Sequence, residues 1–271
     1  MDKLIFNTSM PKAGSELLQC ILHQNPRIYG SVTSPVLEYQ FGARGNYDLA
    51  EVKSQDPEIM HKAFINVCKA IPKAYYEEVT DRPVVCDKNR GWAHYYEWVA
   101  QWHEEPKMIC MIRDLRSIIA SFERTHRKHK HSPQSIDNPA DMTNMTLDQR
   151  IDYWLNTQPV GLSLQRTYDL FQRGLDKNIL FVKYEDLCAD PAAVMEGIYA
   201  YIGEEDFDGH DFDNIQKTIK EDDSHFGIFG KHTVKPKITP VKSSNWEDVL
   251  SKDAANYIKN NHAWYFDTFQ Y

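Results

Sequence analysis

Four short apolar runs, each followed by a stretch with helical periodicity, constrain this chain more than any other feature. The runs are KLIFNT at 3–8, PVVCDK at 83–88, KMICMIR at 107–113 and NILFVKYEDL at 178–187. The stretches that follow are SELLQCILHQN at 15–25, closed by Pro26, then WAHYYEWVAQWHEE at 92–105, SIIASFERTHRK at 117–128 and AAVMEGIYAYIG at 192–203. A strand with one wet face alternates apolar and polar residues, whereas a strand buried on both faces is apolar throughout. The near-continuous runs therefore predict an α/β fold of three layers, a central parallel sheet with helices on both faces. Between the third and fourth units, HKHSPQSIDNPADMTNMT at 129–146 is polar, contains two prolines and has no period, which predicts a flexible loop. Residues 147–177 read as helical with a break near Pro159, and the stretch from Asn245 onward as a terminal helix with an aromatic end. With no internal repeat or low-complexity tract, residues 1–271 read as a single domain.

Composition narrows the function classes. At 42% hydrophobic and 12% aromatic residues, disorder over most of the length is excluded. Lys and Arg number 31 against 39 Asp and Glu, a net charge of −8, which argues against a dedicated nucleic-acid or anionic-membrane binder. It leaves room for a local cationic pocket. Five cysteines, scattered and without a CxxC pair, argue against a disulfide framework and a structural zinc site. The apolar stretch at the start is too short for a signal-peptide core, and no run approaches a membrane span, so a cytoplasmic location is expected.

Two segments carry chemistry. In NTSMPKAGSELL, residues Pro11, Lys12, Gly14 and Ser15 sit where a buried strand turns into a helix. Gly14 permits close backbone approach, Ser15 offers a hydroxyl, and the following amides lie at the positive end of the helix dipole. That arrangement suits a phosphate, although the lysine precedes the glycine and the Walker A order is absent. In IRDLRSIIASF, Arg113 ends a strand and Ser121 lies on the helix that follows. A guanidinium at the C-terminal edge of a parallel sheet can grip a phosphate with paired donors. The competing readings are an ordinary strand-to-helix turn and an Arg113–Asp114 surface ion pair. Two anion grips on strand ends point to a ligand with two separated phosphates.

At these residues the chain resembles the sulfotransferases that use 3′-phosphoadenosine 5′-phosphosulfate (PAPS), and in texture the bacterial and tyrosylprotein-type members. PKAGSELL is similar to their 5′-phosphosulfate loop, and RDLRSIIAS to their 3′-phosphate motif. VKYEDLCADP at 182–191 is similar to a segment whose tyrosine lies near the nucleotide, FGKHTVKPK at 229–237 to a late basic loop, and CDKNRGW at 86–92 to the third strand end with its lysine. The resemblance implies a P-loop-like architecture and in-line transfer of a sulfuryl group from PAPS to an acceptor hydroxyl or amine. It implies no metal, and adenosine 3′,5′-bisphosphate as product. The cofactor residues it implies are Lys12, Ala13, Gly14, Ser15, Glu16, Leu17, Arg113, Ser121, Tyr184, Lys231, Lys235 and Lys237. Lys12 and Lys88 would meet the charge that grows on the leaving phosphate and the transferred group.

The catalytic base departs from the family patterns. Arg90 stands where the cytosolic enzymes place a histidine, and Thr33 where the tyrosylprotein enzymes place a glutamate. Glu38 is the first candidate, His94 the alternative, and Glu16 a third. Glu16 is a departure of its own: a carboxylate in the first helical turn suits the dipole but repels a phosphosulfate, so it is expected to point away from the ligand. The crowd of Trp92, Tyr95, Tyr96, Trp98 and Trp102 suggests aromatic walls for an acceptor, whether small molecule, glycan or tyrosyl peptide. His126, His129 and His131 lie close in sequence but lack the company of a metal motif. The alternatives are a small-molecule kinase and a non-catalytic nucleotide-binding protein on a similar scaffold.

Overall fold

The computed structural model describes residues 1–129, 140–217, 219–226, 233–241 and 245–271. Five strands, β1 (Lys3–Asn7), β2 (Ile28–Thr33), β3 (Val84–Lys88), β4 (Met108–Ile112) and β5 (Ile179–Lys183), form one sheet in the order β2-β3-β1-β4-β5. Every pairing is parallel. The first helices are α1 (Ser15–Gln24), α2 (Val36–Gly45), α3 (Ala50–Lys53), α4 (Pro57–Val79) and α5 (Tyr96–Val99). Then come α6 (Leu115–His129), α7 (Leu147–Asn156), α8 (Val160–Gln172), α9 (Tyr184–Ala189), α10 (Pro191–Ile202), α11 (Lys252–Asn261) and α12 (Ala263–Phe269). The expected three-layer α/β architecture is present, and β3 and β4 are buried at every residue, as strands covered on both faces must be.

The four predicted strands all form, with one change at an end. The run at 178–187 leaves the sheet after Lys183, and Tyr184 opens α9. The elements β2, α2, α3 and α4 were not read from the sequence. The edge strand β2 carries Gly30 at its centre, a residue that weakens strand signals. A Cβ there would lie 2.3 Å from the backbone oxygen of Gln19, so the glycine lets α1 pack directly on the strand. Helix α4 buries only Cys68, Pro72 and Tyr76, and its internal Pro72 reads as a helix breaker. Asp56 caps it, accepting from the amides of Glu58 and Ile59 at 3.0 Å.

The aromatic helix expected at 92–105 is replaced by a 3-10 turn at Trp92–Tyr95, the single-turn α5 and further turns. Asp87 explains the break. Fully buried in β3, it accepts from Trp92 Nε1 at 2.7 Å and from the Tyr76 hydroxyl at 2.6 Å, and so draws Trp92 under the sheet. Of the loop expected at 129–146, residues 130–139 lie outside the described residues. The remainder includes a 3-10 turn at Ala140–Asn144 and Thr146, which forms a capping box with Gln149 at the start of α7.

The order of strands locates the site. From β1 the chain runs outward to β2, back to β3, then across to β4 and β5 on the other side of β1. Helices leaving β1 and β4 diverge, and a crevice opens between the C-terminal ends of those two strands. The turn carrying Lys12 and the residue Arg113 both lie at that point. No helix among the described residues is long and apolar enough to cross a membrane.

Candidate functional site

Beyond Asn7, the chain leaving β1 stays paired with β4. Thr8 N–H donates to Ile109 O and Met10 N–H to Met111 O, each at 2.9 Å. The turn that follows is left-handed at Lys12 (φ 57°) and at Gly14 (φ 85°), the latter serving as N-cap of α1. Gly14 is required twice over, by its φ and by space: a Cβ would stand 2.4 Å from Cδ2 of Tyr184. The Tyr184 ring thus lies against the turn, and the Arg113 guanidinium lies over that ring, 4.6 Å from its centroid. Arg113 Nη1 donates to Lys12 O at 3.0 Å, and its backbone oxygen accepts from the Tyr265 hydroxyl at 2.8 Å. The ends of β1, β4 and β5 are so joined into one structure. Burial, with Cys188 adding, pushes the Tyr184 hydroxyl up to about 12, so it is a proton donor at neutral pH.

In front of this structure is a cavity of about 480 Å³. Lys12, Gly14, Ser15, Glu16 and Leu17 line it from the turn and α1; Lys88 and Glu38 from β3 and α2; Ser121 from α6; and Tyr184 from α9. Glu38 accepts from Asn89 Nδ2 at 3.1 and 3.2 Å. Two buried nitrogens, Asn7 Nδ2 and Arg113 Nε, have no hydrogen-bond partner among the described residues, although Asn7 Oδ1 accepts from the Ser9 hydroxyl. Buried donors without acceptors cost free energy, which an oxygen-rich ligand would recover.

Glu16 corrects the expectation that it points away. Its carboxylate faces the cavity and bridges two ammonium groups, Lys88 and, at 3.5 Å, Lys217. Lys217 in turn meets Glu221 at 2.8 Å. Burial would lower the Lys217 pKa, but Glu221 and Glu16 outweigh it and hold the group above its ordinary value. The result is an alternating Lys88–Glu16–Lys217–Glu221 chain along one wall, and its charges balance where two lysines alone would repel.

Other candidates are placed elsewhere. His94 belongs to a second cavity, of about 530 Å³, where Nδ1 lies 3.5 Å from Asp169 Oδ2. The 3-10 turn that buries Trp92 carries His94 toward α8 instead of the main cavity. Burial, with Arg166 and Arg173 adding, lowers its pKa. Tyr95 and Trp98 line the same second cavity while Trp92 and Trp102 are core, so the aromatic segment does not wall the main one. Arg113 is not among the residues that line the cavity; its guanidinium lies over the Tyr184 ring and against Lys12 O. Ala13 is fully buried and has only backbone to offer. Of the late basic loop, Lys231 lies outside the described residues, Lys235 is exposed, and Lys237 pairs with Asp213 at 2.7 Å, a better partner than open solvent. Among the described residues of that loop, Thr233 and Val234 reach the cavity. Sequence reasoning also missed Asn7, Gln158, Leu162, Ser163 and Arg166, which line it. Nothing local marks Leu162, Ser163 and Arg166, because the face α8 turns inward depends on what it packs against.

A parallel sheet that reverses its order beside β1, with a left-handed glycine turn opening a helix at the reversal, defines a P-loop-like α/β protein. The chain belongs to the sulfotransferase family, whose profile matches residues 5–209. No curated protein sequence matches it significantly. Among solved structures, it is similar to the sulfotransferase domain of the Synechococcus PCC 7002 olefin synthase, at 19% identity and a TM-score of 0.56, over 96% of this chain and 94% of that one. The sulfotransferase domain from the curacin biosynthetic pathway follows at 16% identity and 0.55, over 97% and 98%. Mouse sulfotransferase SULT7A1, solved in complex with PAP, is similar at 14% identity and 0.53, over 96% and 82%. At these identities the likeness is one of fold.

Proposed function

We propose that this chain transfers the sulfuryl group of PAPS to a hydroxyl or amine of its acceptor, leaving adenosine 3′,5′-bisphosphate. The observation that carries the proposal is the joint between the two proposed anion-holding elements: Arg113 donates to the carbonyl of Lys12 and lies over the Tyr184 ring, against which Gly14 of the same turn packs. A doubly phosphorylated nucleotide needs cationic groups from separate strands at one place, and this joint supplies them. The residues fit such a ligand. The unpartnered donors of Asn7 and Arg113 and the glycine cradle at Gly14 all suit phosphate oxygens.

The nucleotide supplies an activated sulfuryl group; the chain supplies position and charge. Lys12 and the amides opening α1 would hold the 5′-phosphosulfate end, and Lys88 would face the transferred group. Arg113 and Ser121 would hold the 3′-phosphate, with Tyr184 beside the adenosine and Lys235 at the rim. Glu38 is the proposed base: it lines the cavity next to the neutral Asn89, whereas Glu16 is committed to two lysines. The test is thermal stabilisation by adenosine 3′,5′-bisphosphate against ATP with magnesium, followed by label transfer from radiolabelled PAPS to an acceptor panel. Stabilisation by the bisphosphate with transfer supports the reading. Stabilisation by ATP alone would favour a kinase, and binding without transfer a nucleotide-binding protein.

A further inference from the structure

The transfer reading employs Lys12, Lys88 and Arg113 but has no use for Arg166. This residue stands on α8, half-buried, one helical turn beyond Leu162, and lines the cavity with it. Among the described residues no carboxylate pairs with its guanidinium. The next carboxylate along its own helix, Asp169, is bound by Arg173 at 2.8 Å and faces His94 at 3.5 Å. Glu16 is held by Lys88 and Lys217, and Glu38 by Asn89. Among the described residues the charge of Arg166 therefore has no paired counter-charge, and its field reaches His94, whose pKa it helps to lower.

A charge drawn partly out of water without a counter-charge is costly, and such a group is stabilised when a ligand brings the opposite charge. Three apolar residues, Phe122, Pro159 and Leu162, line the same cavity. The Ser163 hydroxyl nearby is already donated to Pro159 O at 2.7 Å. One planar fork of donors beside an apolar wall is suited to an oxyanion on a hydrophobic body.

Resting on the transfer reading above, we propose that the acceptor is itself an anion: a molecule that presents its hydroxyl or amine to the transfer centre and a carboxylate or similar oxyanion to Arg166. Arg166 is then a specificity determinant, not a cofactor ligand.

The experiment is calorimetric titration of the full chain, saturated with adenosine 3′,5′-bisphosphate, with matched probes. The pairs are 4-hydroxyphenylacetate against its amide and 3-hydroxybutyrate against its methyl ester. In the unmodified protein the anionic member of at least one pair should bind tighter, by roughly 10- to 100-fold for a charge-assisted contact. Arg166→Met should erase that preference and leave bisphosphate affinity unchanged, and Arg166→Lys should restore it in part. Equal binding within both pairs overturns the proposal. So does Arg166→Met weakening the bisphosphate, which would place Arg166 in the nucleotide site. If the bisphosphate does not bind even the unmodified protein, the transfer reading itself fails, an outcome distinct from equal binding within the pairs.

Discussion

Single residues carry the chemistry, and their charges give the sharpest tests. Lys12 is placed by the left-handed turn, not by an extended loop, so its ammonium is held over the Phe122 ring at 5.7 Å. If it meets charge that develops during transfer, Lys12→Ala lowers kcat by more than it weakens bisphosphate binding, by roughly 10²-fold in kcat. Steady-state kinetics with parallel binding measurements would show this, and equal losses in both would reduce Lys12 to a nucleotide holder. Glu16 acts in the opposite direction. Because its carboxylate occupies Lys88 at the cavity wall, Glu16→Gln should tighten PAPS binding by about fivefold, roughly 1 kcal/mol, with a smaller gain at high salt. A weaker complex in that variant would mean that Glu16 orients Lys88 productively. The lysine, glycine and serine of the turn, singled out because they sit at a strand-to-helix junction, all line the cavity. The orientation of Glu16 was not legible, since it depends on Lys88 and Lys217, which lie 72 and 201 residues away.

Elements position these residues, and α6 does most of this by leaving β4 with Arg113 behind it and Ser121 on its inner face. Its other anchor is Glu123, fully buried, which accepts from Arg127 Nε at 2.7 Å and from Arg150 of α7 at 2.7 and 2.8 Å. Burial pushes the carboxyl up, but the two guanidinium groups outweigh it and hold its pKa below the usual value. Glu123→Gln leaves the largely covered Arg150 without its counter-charge and should cost roughly 3 kcal/mol, read as a lower urea midpoint with an unchanged m-value. Nucleotide affinity should fall with it if α6 moves. The strands were legible because burial on both faces writes itself as continuous apolar runs. The aromatic segment at 92–105 misled because Trp92 is pulled to Asp87, a contact that overrides local helical preference.

Across the whole molecule, half-buried imidazoles set the response to acid. His23 is pushed down to about 4 by burial, with Arg82 adding, and His94, His103, His210 and His262 are all lowered from the ordinary value, burial being the first cause in each. Each therefore binds its proton more readily unfolded than folded. Stability should be full above pH 6.5 and decline as pH falls toward 4, with His23 alone contributing roughly 2 to 3 kcal/mol. Asp87, raised by burial despite its bonds from Tyr76 and Trp92, opposes that decline. Thermal melts from pH 7.5 to 4.5 would measure the slope, and a flat profile would contradict the burial of these rings. Chain order was enough to read the parallel sheet, the strand-to-helix turn with its lysine and the family likeness, because burial period and backbone freedom are local properties written residue by residue. The meeting of Arg113 with Lys12, the capture of Lys88 by Glu16, the removal of His94 to another cavity and the place of Arg166 on the main cavity wall were beyond it. Each of these follows from which strands and helices become neighbours, and electrostatic partners are chosen by distance in space.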